Sequence, residues 1–91
     1  MIQDNDAIQK AMDYFKSLPQ DYLGSPQELR LEAIVRNQSL FRIVLSYMAK
    51  RKVDRDGIGG VGIFAHQRYF KEFDINAETG DVMAMKEPSI N

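Results

Sequence analysis

The chain has no cysteine and no tryptophan, and only three prolines and six glycines among its 91 residues. Without cysteine there is no disulfide, no thiolate metal site and no cysteine nucleophile, and the composition suits a reducing compartment. No apolar run approaches the roughly 18 residues that cross a membrane as a helix. The opening MIQDNDAIQKAMDYF is polar and acidic, with no basic segment leading into an apolar one, so it does not read as a secretory signal. Neither sign of charge dominates: 12 Lys and Arg stand against 13 Asp and Glu, a formal net charge of −1. A nucleic-acid binder ordinarily carries a basic excess, so that partner is disfavoured for the chain as a whole. What is present, 44% hydrophobic and 27% charged residues, is the balance of a folded domain. The expectation is one domain over residues 1–91, soluble and cytoplasmic, with a core limited by its size.

Within DNDAIQKAMDYFKSLP, the residues Ile8, Ala11, Met12 and Phe15 recur at the i, i+3, i+4, i+7 spacing of one helix face. Asp6 with Gln9 three residues on is a candidate N-cap pair, and Pro19 disfavours helical geometry at Leu18. The spacing predicts a helix over about 6–18. Residues 28–48 have two readings. Ser25-Pro26-Gln27-Glu28 is a capping box with Pro at the first helical position, and Leu40, Ile43, Val44 and Tyr47 fall at helical spacing. Against one long helix, Leu29, Leu31, Ala33 and Val35 alternate with charged residues, Ile34 being the exception. Phe41, Ile43, Leu45 and Tyr47 alternate likewise. A three-residue loop of Asn37, Gln38 and Ser39 would pair Arg36 with Leu40, Val35 with Phe41, Ala33 with Ile43 and Leu31 with Leu45, all of the apolar pairs on one face. That agreement favours a hairpin of strands over about 28–36 and 40–49.

Residues 50–62, KRKVDRDGIGGVG, are charged and then glycine-rich and read as a loop. A third strand is expected over about 64–75, with Tyr69, Lys71, Phe73 and Ile75 on one face. After the turn sequence NAETGD a fourth follows over about 82–87. A four-residue loop at 77–80 would pair Ile75 with Val82 and Phe73 with Ala84. The fold class is therefore a two-layer α+β domain, one N-terminal helix packed on a four-stranded antiparallel sheet in the order α-β-β-β-β. Its expected core holds Ile8, Met12, Phe15, Leu29, Leu31, Phe41, Ile43, Leu45, Phe73, Ile75 and Val82.

FRIVLSY, followed after a variable loop by RYFKEFDINAETGDVMAMK, resembles the last strands of PepSY-like domains, which share a turn of the form D-x-x-T-G-x-V. That turn is written here as Asn76-Ala77-Glu78-Thr79-Gly80-Asp81-Val82. DNDAIQKAMDYF is similar to the leading helix of the family. The resemblance covers roughly residues 4–18 and 28–87, and it is closest to the small standalone bacterial members. It implies a helix against a small antiparallel sheet and a non-catalytic role in binding or restraining partners, with no catalytic residues to carry over. The chain departs from the pattern in lacking an export signal and an attached peptidase, and in having Asn76 where Asp is usual.

Several motifs tempt a chemical reading. Gly57, Gly59 and Gly62 are spaced as G-x-G-x-x-G, the dinucleotide fingerprint, but that loop must follow a hydrophobic strand and open a helix. Here RKVDRD precedes it and a strand pattern follows. Asp74, Asn76, Glu78 and Asp81 suggest a calcium loop, yet the positions where an EF-hand needs Gly and Glu hold Thr79 and Met85. His66 is the only histidine, without an oriented partner for general-base work. No catalytic, cofactor-binding or metal-binding residue is expected, and the chain reads as a non-enzyme.

Two surfaces remain. One helix cannot cover both sides of the sheet, so the far side is a candidate protein-interaction face, expected to carry Ile34, Val44, Met48, Phe70, Met83 and Met85 among alternating charges. The expected partner is another protein or a second copy of the chain. The alternative is a phosphate or nucleic-acid contact at Lys50, Arg51, Lys52 and Arg55, beside glycine amides that could cradle an anion.

Overall fold

A computed structural model describes residues 2–50 and 66–88. Helix α1 (Asp4–Ser17) is followed by β1 (Gln27–Arg36), β2 (Leu40–Lys50), β3 (His66–Asn76) and β4 (Val82–Lys86). The strands form one antiparallel sheet in the order β1-β2-β3-β4. This is the α+β architecture that the alternation of residues 28–48 favours, and the single long helix over that segment does not form.

Helix α1 starts two residues earlier than its periodicity indicates. Asp6 is not the cap but sits inside the first turn, where its carboxylate accepts the Gln3 main-chain N–H at 3.1 Å. Asp4 and Asp6 there also oppose the positive end of the helix dipole. Gln9 is occupied instead with Asp13 one turn on, at 2.8 Å. The far end stops as Pro19 requires: Leu18 is extended, and the Gln20 side chain donates to the Leu18 carbonyl at 2.7 Å and the Phe15 carbonyl at 3.3 Å. The buried stripe is Ala7, Ala11 and Phe15, with Ile8 and Met12 on its flanks. Small side chains at the centre of the stripe let the helix lie close to the sheet.

That helix crosses β2, β3 and β4. The core beneath it is Phe41, Ile43, Leu45, Tyr47, Ala49, Phe73, Ile75 and Ala77. Phe15 packs on Tyr47 with ring centroids 4.8 Å apart, and Tyr47 on Tyr69 at 5.7 Å. Ile8, Met12, Leu29 and Val82 are only partly buried around this centre, and Leu31 stays 39% exposed. Leu31 belongs to β1, an edge strand that α1 does not cover.

Two register details differ from the alternation argument, and both move side chains between faces. Across β1 and β2, Arg36 pairs with Phe41, Val35 with Arg42, Ile34 with Ile43 and Ala33 with Val44. The connection is therefore one residue longer than expected. Asn37 lengthens it: its side-chain carbonyl accepts the N–H of Leu40 at 3.0 Å and of Ser39 at 3.3 Å, while its own N–H reaches the Leu40 carbonyl. A bulge at Glu32 then absorbs the extra residue and restores the expected Leu31–Leu45 pair. In β4 the loop length is as expected and Ile75 pairs with Val82. A bulge at Met83 then sets Asp74 opposite Ala84 and Phe73 opposite Met85, so Phe73 does not meet Ala84.

Candidate functional site

Directly opposed residues of a sheet share a face, so the register sorts every strand residue to one side. Ile34, Ile43, Phe73 and Met85 form one row across all four strands. Ile43 and Phe73 are fully buried under α1, and Ile34 and Met85 pack against the same core. These two residues therefore leave the expected interaction face for the helix side, because the longer β1–β2 connection and the Met83 bulge each invert the parity. Met83 itself is the exposed extra residue of that bulge. Val44, Met48 and Phe70 remain opposite the helix, and Ala33 and Val35 join them. The shift that turned Ile34 inward turned these two out. Lys50 is the last residue of β2, while Arg51, Lys52 and Arg55, with Gly57, Gly59 and Gly62, lie outside the described residues.

What else the outer face holds did not follow from the apolar pattern. Arg42 on β2 lies opposite Asp74, Val44 opposite Glu72, and Lys86 of β4 on the other side of Glu72. Arg42 Nε is 3.3 Å from both Glu72 Oε2 and Asp74 Oδ1. Lys86 Nζ is 3.5 Å from Glu72 and 3.3 Å from Asp74. Two carboxylates, each about 11% exposed in the side chain, thus lie between two cations across three strands. A second cluster is centred on Ser46, which is fully buried although no element among the described residues covers this face. Its hydroxyl donates to Glu32 Oε2 and accepts from Arg68 Nη1 at 2.8 Å. Arg68 also reaches the Glu28 carbonyl at 3.3 Å, and Arg30 lies 3.7 Å from Glu32. The Glu32 bulge is what brings that carboxylate over Ser46.

With the Glu28 carboxylate, 3.9 Å from Arg68 Nη2, the two clusters are each charge-balanced, and each side chain is tied to at least one neighbour on another strand, Arg30 excepted. Phe70 stands between them, opposite Ser46 and 41% exposed, with Val44 and Met48 on either side of Ser46 along β2. The arrangement suits recognition: fixed charges of both signs and one exposed aromatic. Among the described residues no group of His, Asp or Glu is placed to hold a metal ion. On the helix side, burial pushes the Tyr47 phenol above its ordinary range. The Lys71 ammonium opposes this, and Glu87 and Tyr69 add to it. Among the described residues no helix is long and apolar enough to cross a membrane.

Compared with known proteins, the chain matches no family model, no curated protein and no solved structure.

Proposed function

We propose that the chain is a small non-enzymatic binding or regulatory domain of PepSY-like architecture, cytoplasmic, which acts through protein contact on the sheet face opposite α1. One observation carries the reading. A face that no element among the described residues covers nevertheless holds Ser46, Glu72 and Asp74 buried and bonded, around an exposed Phe70. Surface ion pairs contribute little to stability when they are mobile and isolated. A network that spans three strands and restrains its own side chains lowers the ordering cost of forming a complex. Interfaces concentrate their affinity in aromatic and Arg residues ringed by polar groups, and Phe70 between Arg42, Arg68, Glu72 and Ser46 has that composition.

The test is affinity capture from cell extract with the immobilised domain, quantified for wild type, Met48→Glu, Phe70→Ala and, as a helix-side control, Asp13→Lys. The proposal expects specific captures to fall at least about tenfold with Met48→Glu and Phe70→Ala, as the loss of a central contact does. They should persist with Asp13→Lys. Equal capture by all four proteins would reject it.

A further inference from the structure

β3 has eleven residues and β4 has five, so the outer edge of the sheet is stepped. β4 pairs with β3 only between Ile75 and Glu72. The Asn76 N–H donates to Asp81 and the Asn76 carbonyl accepts from Gly80, which fixes the direction of the alternating main-chain groups. Asn76, Asp74, Glu72, Phe70 and Arg68 all turn their N–H and C=O outward, toward the side on which β4 lies. The ladder next needs a donor opposite Phe70, two residues beyond Lys86, and that residue is Pro88, which has none. Among the described residues, the outward N–H and C=O of Arg68 and Phe70 have no main-chain partner.

The other edges are guarded. β1 is broken by register irregularities on both sides of Arg30, holds Glu28 at a φ of 53°, and carries Glu28, Arg30, Glu32 and Arg36. β4 is short and bulged at Met83. Bulges, charge and brevity are the devices that keep sheet edges from pairing. The β3 edge over residues 67–71 is neither short nor bulged, its two charges, Arg68 and Lys71, are held by Ser46 and Glu87, and its pairing to β2 is regular through all eleven positions.

We propose that this step in the sheet takes a strand from a second copy of the chain, β3 pairing antiparallel with β3 about a two-fold axis at Tyr69. Arg68 of each copy then exchanges both main-chain hydrogen bonds with Phe70 of the other, and the Tyr69 residues meet on the helix side. The pairing requires Glu87, which holds Lys71, and Pro88 to move off the edge; Arg68 then opposes Phe70, Lys71 opposes Gln67, and no like charges face each other. A second copy is favoured over an unrelated peptide because every residue required is self-complementary, as a two-fold interface demands. The inference rests on main-chain groups at an edge and is independent of the face reading, although Phe70 belongs to both.

Sedimentation equilibrium of wild type, Phe70→Ala and Phe70→Pro separates them. Proline removes an N–H that has no partner within the chain, a position where a strand tolerates it. Wild type and Phe70→Ala should dimerise, and Phe70→Pro should weaken the dimer by more than about tenfold relative to Phe70→Ala, the consequence of losing two edge bonds per dimer. If Phe70→Pro does not fold, amide hydrogen exchange of wild type decides: protection at Arg68 and Phe70 should rise with protein concentration. A strictly monomeric wild type, a dimer that Phe70→Pro leaves intact, or exchange at these amides independent of concentration overturns the proposal. Loss of the dimer in Phe70→Ala as fully as in Phe70→Pro also overturns it, assigning self-association to the face.

Discussion

Asn76 shapes the β3–β4 turn through its side-chain carbonyl, which accepts the N–H groups of Glu78 at 2.8 Å and Thr79 at 3.0 Å. A carboxylate at this position offers the same acceptor. Asn76→Asp is expected to leave stability within about 0.5 kcal/mol, whereas Asn76→Ala strands two donors and costs about 1–2 kcal/mol by urea denaturation. In the same turn Gly80 has a φ of 80°, and a Cβ there would lie 3.2 Å from the Lys10 side chain, which ties the turn to the helix above it. Tyr47 supplies a pH signature. Its folded-state pKa is raised above the unfolded value of about 10, so the folded form holds its proton more tightly. The stability from burying the neutral phenol is whole below about pH 10 and is lost as pH rises through the folded value. Urea midpoints at pH 9 and pH 11 should therefore fall further for wild type than for Tyr47→Phe; equal falls in both would contradict the assignment.

Among the elements, β1 shows how a strand can be irregular without loss of pairing. Glu32 is the residue its ladder does not need, and deleting it would leave Leu31 opposite Leu45 and Ala33 opposite Val44 in an unbroken register. The expected cost is that of the lost Ser46–Glu32 bond, about 1–2 kcal/mol, with cooperative thermal unfolding retained. A molten or unfolded product would show that the bulge is required by the fold. The same strand marks the limit of the sequence reading. Alternation in β2 is strong enough to assign Phe41, Ile43 and Leu45 to the core directly, and the buried Tyr47 continues the same row. The bulges at Glu32 and Met83 carry neither Gly nor Pro and leave no mark in the hydrophobic pattern. The extra loop residue depends on where the Asn37 side chain bonds. For those reasons alternation alone sets Ile34 and Met85 on the wrong side of the sheet, while Val44, Met48 and Phe70, on the unbulged β2 and β3, lie opposite the helix as alternation implies. In the helix, periodicity found the right face but set Ile8 and Met12 alongside Phe15 in the core, where the close approach of helix and sheet favours Ala7 and Ala11.

At the scale of the whole molecule the sheet is one-sided among the described residues. Its helix face holds nearly all the fully buried apolar side chains, and its other face substitutes ion pairs for a second layer. The charges on the outer face were visible in the sequence as the partners of the apolar alternation. Their clustering was not, because it needs the registers of three strand pairs together. The methionines report on this geometry separately: Met48 lies on the outer face, Met83 at the β4 bulge, and Met12 and Met85 against the core. The most direct test is methyl NMR of methionine-labelled protein before and after addition of a captured protein. The outer-face reading predicts that the Met48 signal shifts or broadens while Met12 and Met85 are unchanged. Perturbation of Met12 and Met85 with Met48 undisturbed would contradict it.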